Sequence, residues 1–295
     1  MAPPKFSDLG KSAKDLFSKG YAHGFMKLDV TSDVAPTVQF KTSAAHDLNS
    51  QKLDGNLEVK YKILEHGLTI TEKWKTDNQL TNVLELKDKV LRGLTLTVET
   101  AFKPHVEGSR HAIAKADWAN DAFHVNGDLT LFGGPLFTGS FVAKMSNDWL
   151  VGAQLKANLE QGTVGPTAIS IGRKTAEYSL HSHTTDGTDF GASLYHRVHK
   201  NLEYGVQMGW KTGDAMASWA VATKYNMSPE LTLRAKLDHN SRVSVSAVHN
   251  LNGTLKLTLS SHFAMAAFPD AQNKFGFGLE YCPGGTCCAK VKEDA

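Results

Sequence analysis

Apolar and polar side chains alternate with a period of two along most of the chain. From Phe25 onward, runs of roughly ten residues carry apolar side chains at every second position, and Gly, Asn, Asp or Pro separates successive runs. In the run 57–63, for example, the odd positions are apolar and the even positions are charged. This alternation predicts β-strands with one apolar face and one polar face.

About nineteen such runs follow one another, and most of the turns between them are short enough only for antiparallel hairpins. The pattern is weakest over 112–117 and 215–223, where alanines blur the alternation. An open sheet of this size would exceed the usual limit of roughly ten strands and would expose both edges, so we expect closure into a barrel. Stacked soluble sandwiches or a propeller are the alternatives for an all-β chain. The chain shows no propeller-type repeat of about forty residues, and its runs are longer than typical globular strands.

The first two dozen residues follow a different, helical period. Between Phe6 and Gly20 the apolar positions recur at spacings of three and four, which predicts one amphipathic helix. Gly20 and Gly24 end the helix and provide a hinge. A lone helix beside a very long sheet suggests a plug or a gate, for which the candidate residues are Leu9, Lys14, Leu16, Gly20 and Gly24.

Composition narrows the function class. The 295 residues include 32 basic and 30 acidic side chains, and a net charge of +2 argues against a nucleic-acid binder. A closed barrel this wide cannot fill its interior with side chains, so the polar face should line water and the apolar face should point into lipid. The chain shows no secretory signal, and we expect the segment 6–20 to be retained because it has no Arg and contains Asp8 and Asp15.

Several stretches together resemble the mitochondrial voltage-dependent anion channels, the eukaryotic porins, over residues 3–281. The most specific are the segments 8–15 (DLGKSAKD), 67–74 (GLTITEKW), 186–191 (DGTDFG), 255–260 (LKLTLS) and 276–280 (GFGLE). The resemblance implies an all-β transmembrane barrel of about 19 strands with the N-terminal amphipathic helix inside the pore. The chain then divides into a helix and hinge (1–24), a barrel (25–281) and a flexible, Cys-containing tail (282–295).

The same resemblance implies a voltage-gated, weakly anion-selective channel in the mitochondrial outer membrane. It would pass ATP, ADP, phosphate and inorganic ions by diffusion, with no enzymatic activity and no cofactor. Membrane lipid, NADH, hexokinase, apoptosis regulators and a second copy of the chain are the partners implied. Two alternatives remain open: the related import pore for precursor proteins, and a docking scaffold for kinases or apoptotic proteins.

Candidate nucleotide contacts also come from the resemblance. On the helix, Lys11 and Lys19 match the family's nucleotide-contacting lysines, although most charges of this kind belong to a solvated face. A second patch on the last strands comprises Arg242, Val243, Ser244, Ser260, Ser261, His262, Phe263 and Ala264.

One carboxylate falls on the apolar side of its predicted strand. Glu72 shares the face of Leu68, Ile70 and Trp74, so we expect a membrane-facing acid, which also matches the family.

The cysteines and histidines carry less information. All three cysteines, Cys282, Cys287 and Cys288, lie in the tail, where we expect free thiols. His181 and His183 share a strand face and are interpreted as polar wall, because a metal site needs three or four converging ligands.

Overall fold

The computed structural model of the chain describes residues 2–106, 108–132, 134–265 and 273–283. After a short helical segment it consists mainly of strands, as the alternation predicts, with 3₁₀ turns at Leu64–His66 and Ser146–Asp148. The nineteen strands, β1 to β19 in chain order, are Phe25–Ala35, Val38–Asp47, Leu53–Ile63, Leu68–Lys75, Leu80–Lys87, Leu94–Phe102, His111–Ala119, Phe123–Thr130, Leu136–Lys144, Trp149–Asn158, Thr163–Lys174, Tyr178–Thr185, Asp189–His199, Leu202–Lys211, Ser218–Asn226, Leu231–Asp238, Arg242–Leu251, Leu255–Ala264 and Lys274–Tyr281.

The strands form one sheet whose hydrogen-bonded order is closed. Each strand neighbours the next in sequence, and β1 pairs with both β2 and β19. The β1–β2 pair is antiparallel, whereas β1 and β19 run parallel with Met26 opposite Phe277. A closed meander with an odd number of strands brings its first and last strands together in the same direction, so one parallel pair is unavoidable. The predicted nineteen-stranded β-barrel is therefore confirmed.

The turn residues predict the β17–β18 hairpin correctly, whereas Gly165 and Pro166, which are also typical of a turn, lie within β11. Asn252 and Gly253 link β17 to β18, and both adopt left-handed backbone angles, with φ of 52° and 68°. Two successive positive φ values match the right-handed twist of the flanking strands, which is why Asn-Gly is favoured at this kind of turn.

The two faces of the sheet differ in what they contact. On β17, Ser244 and Ser246 are each only 1 % exposed, while Val245 between them is 44 % exposed. The buried positions lie on the face that carries the N-terminal segment, which we call the docking face. The opposite face presents large apolar side chains such as Leu259 and Phe275, at 51 % and 63 % exposure. An extended apolar surface of this kind is unfavourable in water and suits lipid.

The prediction of one continuous helix over 6–20 is wrong. A 3₁₀ turn covers Phe6–Asp8, and an α-helix, α1, covers Lys11–Ser18. Gly10 separates them with a φ of 72°, a left-handed angle that an α-helix cannot contain. Within the part of the chain that the structure describes, no helix has the length and apolarity of a bilayer span.

Contacts group the chain into two compact units. The first comprises Met1–Lys11, Val59–Ser193 and Gly209–Ala217, and the second comprises Ser12–Glu58, Leu194–Met208 and Ser218–Ala295. Each unit holds its own part of the N-terminal segment.

Candidate functional site

In the first unit, the residues before Gly10 are fastened to β7 and β8. The Lys5 ammonium lies 2.9 Å from a carboxylate oxygen of Asp117. The Pro3 carbonyl oxygen is 3.1 Å from Nδ1 of His124, whose side chain is buried. These contacts fix the start of the chain to the docking face of the sheet.

Small residues on the docking face of the sheet let the N-terminal segment approach the strands closely. A Cβ on Gly152 would lie 2.9 Å from Cδ2 of Phe6 and 3.2 Å from Cδ1 of Leu9. The predicted gating residue Leu9 therefore packs directly on the backbone of β10. Gly10 lies against the ring of His181, so the break between the 3₁₀ turn and α1 is also a contact point.

In the second unit, the apolar stripe of α1 is buried against β13 to β15. Leu16 and Phe17 are 3 % and 8 % exposed and pack in one cluster with Ala220 and Ala222. Gly205 also lies beneath Leu16, because a Cβ there would be 2.9 Å from Cδ2 of that leucine. A short helix is marginal alone, and this burial supplies the stabilisation that it lacks.

Four hydrogen bonds tie the end of α1 and the hinge to the last four strands. They run from Lys236 Nζ to the Phe17 carbonyl (2.9 Å), from Ser246 Oγ to the Gly20 carbonyl, from the Ala22 N–H to Ser260 Oγ (2.9 Å), and from the Gly24 N–H to the Phe275 carbonyl (2.9 Å). Gly20 and Gly24 have φ of 78° and 75°, left-handed angles that favour glycine. The hinge is therefore clamped to the wall in this structure.

A cluster of polar and cationic side chains surrounds the hinge. We call Tyr21, His23, Arg234, Lys236 and His262 the hinge cluster. Lys236 Nζ lies 4.4 Å from the centre of the Tyr21 ring. The ring of His23 is 5.2 Å from that of Tyr21 and 5.5 Å from that of His262, centre to centre.

Burial perturbs both hinge side chains of this cluster. It raises the pKa of Tyr21 to about 12, against the smaller opposing effect of Arg234. Burial is also the main cause that lowers the pKa of His23 to about 4, with further contributions from Lys236, His262 and Lys27. Both groups are therefore neutral near pH 7.

The predicted nucleotide-contacting lysines of the helix are engaged in ion pairs. Lys11 Nζ lies 3.2 Å from a carboxylate oxygen of Asp8, and Lys19 Nζ lies 2.8 Å from one of Asp15. Both lysines, like Lys14, are exposed. Pairs at this exposure are weak, so they leave the ammonium groups free to exchange partners.

The second predicted patch divides between the two faces of the sheet. Strands β17 and β18 pair with Ser244 opposite His262 and Arg242 opposite Ala264, and the Ser244 hydroxyl is 2.9 Å from Nδ1 of His262. Alternation places the other members of the patch on the opposite face: Val243, Ser261 and Phe263. Ser260 is on the docking face, where it accepts the hinge N–H of Ala22.

Cross-strand ion pairs neutralise several lysines of the wall. Lys115 pairs with Glu99 at 2.8 Å, Lys224 with Glu203 at 2.9 Å, and Lys256 with Glu280 at 2.9 Å. The positive charge of a strand lysine is therefore not always available to the solvent that it faces.

Glu72 lies on the face opposite to the docking face. Strands β4 to β9 pair without a register shift, and this register puts Thr71 on the same face as His124, which contacts the N-terminal segment. Glu72 is exposed, directly across from Asn82 on β5.

The predicted tail begins at Cys282. This cysteine is disulfide-bonded, so the expectation of free thiols is wrong at this position. The rest of the tail, including Cys287 and Cys288, lies outside the described residues.

Sequence reasoning missed Tyr21, Arg234 and Lys236. A signal existed, because Arg234 and Lys236 are two residues apart on β16 and must share a face. Their proximity to residues 17–23 has no local signature.

Comparison with known proteins gives a consistent result. A sequence model of the eukaryotic porin family matches residues 2–276. A Caenorhabditis elegans protein named as a probable voltage-dependent anion-selective channel is 46 % identical over 96 % of this chain and 99 % of its own length.

Vertebrate relatives are more distant. The turkey (Meleagris gallopavo) non-selective voltage-gated ion channel VDAC2 is 36 % identical over 94 % of both chains. Human (Homo sapiens) VDAC1, named in the same way, is 34 % identical over 95 % of this chain and 98 % of its own.

Proposed function

The chain belongs to the eukaryotic porin family, and we propose that it forms a voltage-gated, weakly anion-selective channel in the mitochondrial outer membrane. Substrates would be small anionic metabolites such as ATP, ADP and phosphate, together with inorganic ions, which cross by diffusion. No chemical step is needed, and the protein is a channel rather than an enzyme. The observation that carries the proposal is the closed nineteen-stranded sheet with a helical segment clamped to one face and apolar side chains on the other.

The cationic wall of the second unit supports anion preference. Register places Lys236, Ser244, His262 and Lys274 in one row across β16 to β19 on the docking face. Arg234 lies in the adjacent row of that face, and Lys27 lies on it in β1. Fixed positive charges beside a water-filled passage raise the local anion concentration and favour anion transit.

The N-terminal segment is the proposed voltage-responsive element. Its apolar residues Leu9 and Leu16 pack on glycines, while Lys11, Lys14 and Lys19 remain exposed. A charged element held by a few hydrogen bonds can exchange between docked and released states when the potential changes. We propose that nucleotide phosphates contact Lys11 and Lys19 on the N-terminal segment. As a separate contact we propose the docking-face members of the second patch, which are Arg242, Ser244, Ser260, His262 and Ala264.

Reconstitution in a planar bilayer tests this function. We expect stepwise conductance, closure at both polarities, and a reversal potential in a KCl gradient that indicates chloride preference, which weakens at high salt. A pore that prefers potassium when open, or one without voltage dependence, would contradict the proposal. To test the helix, disulfide formation between Leu16→Cys and Ala222→Cys should suppress closure, and reduction should restore it; each single variant is the control.

A further inference from the structure

Several polar atoms beside the hinge are buried without a hydrogen-bond partner. They are the hydroxyl of Tyr21, both ring nitrogens of His23 and Nε of Arg234. A buried polar atom without a partner is unfavourable, and native structures contain few of them. Four such atoms around one hinge indicate a place where a polar ligand satisfies them.

The charges around these atoms favour an anion. His23 is faced by Lys27 on β1, Lys236 on β16 and His262 on β18. His262 in turn faces Arg242, Lys274 and Asp238. All but one of these neighbours is a base, and Lys236 also lies over the Tyr21 ring.

The nearby acids are already committed to other partners. Glu203, close to Arg234, pairs with Lys224 at 2.9 Å, and Asp15 pairs with Lys19 at 2.8 Å. The Asp238 carboxylate accepts the backbone N–H groups of Asn240 and Arg242 at 2.9 and 3.1 Å. The cluster therefore has more cationic donors than acids available to balance them.

We propose that the hinge cluster, Tyr21, His23, Arg234, Lys236 and His262, binds a tetrahedral oxyanion of the phosphate class and that the bound anion fastens the hinge to the wall. Tyr21 and His23 come from the hinge, whereas Arg234, Lys236 and His262 come from β16 and β18. A ligand held by both sides binds only the docked state and stabilises it by mass action. Arginine and several N–H donors from different directions suit a multivalent oxyanion better than chloride.

Proton linkage gives the site a specific signature. Burial is the main cause that disfavours protonated His23, and its positive neighbours add to it; a bound phosphate anion offsets the part that comes from these neighbours. Phosphate should therefore raise the pKa of His23 from its low value, and the protonated imidazole should in turn bind phosphate more tightly. The site rests on the proposed channel function only for the route by which the anion arrives.

The binding test uses the full chain in lipid nanodiscs with ¹³C-labelled histidine. Sodium phosphate is titrated against sodium chloride at matched ionic strength, and the His23 ring signals are followed by NMR from pH 4 to 7. We expect a saturable shift and a raised His23 pKa with phosphate but not with chloride. Arg234→Gln should weaken phosphate binding about tenfold, because it removes a charged donor. Lys236→Arg should retain binding, and Lys87→Gln on β5 is the control for loss of one positive charge.

Each outcome decides the proposal. An identical response to phosphate and chloride, or an Arg234→Gln variant that binds like the parent, overturns the site. Normal conductance without a phosphate shift rejects the site and leaves the channel function standing. A phosphate shift in a protein that forms no pore supports the site and rejects the channel. In bilayers, phosphate should increase the voltage needed to close the parent but not Arg234→Gln; equal responses would contradict the link to the hinge.

Discussion

The carbonyl oxygen of Ala22 occupies the space that a side chain on Gly276 would need. The hinge and β19 touch backbone to backbone at this point, and no movement of a flexible side chain can relieve a clash there. Glycine at position 276 is therefore a condition for the docked hinge.

Replacing this glycine should release the hinge. In Gly276→Ala the new methyl group displaces residue 22, so α1 should leave the wall more often. We expect trypsin to cleave after Lys19 faster than in the parent, and the pore to close at lower voltage. Gly165→Ala is the control, because its Cβ would meet Lys156 at an ordinary 3.6 Å. Equal cleavage rates in both variants would show that the hinge does not depend on this contact.

Removing a hydroxyl group that hydrogen-bonds to the hinge should weaken the attachment of the hinge to the sheet. Ser260→Ala leaves the Ala22 N–H without its acceptor, at a cost of about 1–3 kcal/mol. Hydrogen exchange of the Ala22 amide should accelerate correspondingly, and adding Ser246→Ala should accelerate it further. Ser261→Ala changes the same strand on the opposite face and should leave this amide unaffected. An unchanged exchange rate in Ser260→Ala would mean that another acceptor replaces the hydroxyl.

Acid should weaken docking of the hinge in chloride solution. The pKa of His23 is lowered to about 4 when the hinge is docked, from an ordinary value of 6.5. The released hinge therefore binds more protons between these values, so docking loses stability as the pH falls from 6.5 towards 4 and changes little below that. The voltage at which the pore closes should therefore decrease as the pH is lowered across this range. His23→Phe should flatten the profile, whereas His66→Gln should not; a parent profile that stays flat would contradict the linkage.

Ion pairs on the wall should tune selectivity in opposite directions. Glu280→Gln leaves the positive charge of Lys256 unbalanced and should raise the chloride-to-potassium permeability ratio. Lys256→Gln leaves the negative charge of Glu280 and should lower the ratio. Reversal potentials at low salt measure both effects, which should shrink as salt screens the charges. Asp121→Asn in the turn after β7 is the control, and shifts of the same sign in both β18–β19 variants would be inconsistent with this account.

The carboxylate at Glu72 should destabilise the barrel in lipid. Because Glu72 lies on the apolar face, we expect Glu72→Gln to increase the free energy of unfolding. The increase should be less than about 2 kcal/mol, because an acidic side chain destabilises a barrel in lipid less than a basic one. An apolar carbodiimide should label Glu72 in preference to Glu85, which is on the docking face of β5. Urea unfolding in vesicles and peptide mass spectrometry measure the two effects. Preferential labelling of Glu85 would contradict the assignment of Glu72 to the apolar face.

The sequence predicted the strands more accurately than the N-terminal segment. Alternation of apolar and polar residues is a local signal, and even the alanine-rich runs formed strands, as His111–Ala119 and Ser218–Asn226. The helical period of Phe6, Leu9 and Ala13 continues through Gly10, so periodicity alone could not show the break. Gly10 breaks the helix with its left-handed φ and lies against His181, a residue far along the chain that a local pattern does not include.

The hinge clamp could not be predicted for a similar reason. Ser246 and Ser260 look like ordinary polar positions of two strands, and their partners are 226 and 238 residues away in sequence. The alternation of side chains along the strand did predict which face each residue occupies, because Ser261 and Phe263 alternate with Ser260 and His262. Alternation does not reveal which segment of the chain packs on each face.

The clamp also sets an order of events during folding. The hydrogen bonds from residues 17–24 to the described strands go to β16, β17, β18 and β19. These strands are synthesised last, so residues 17–24 cannot make these bonds until the final hairpins have formed, although residues 3–10 and the apolar stripe of α1 contact earlier strands. Contacts this distant in sequence form late, because the loop between them must close first. The hinge is thus the last part of the N-terminal segment to be fastened, and a docked hinge reports that the final strands are already in place.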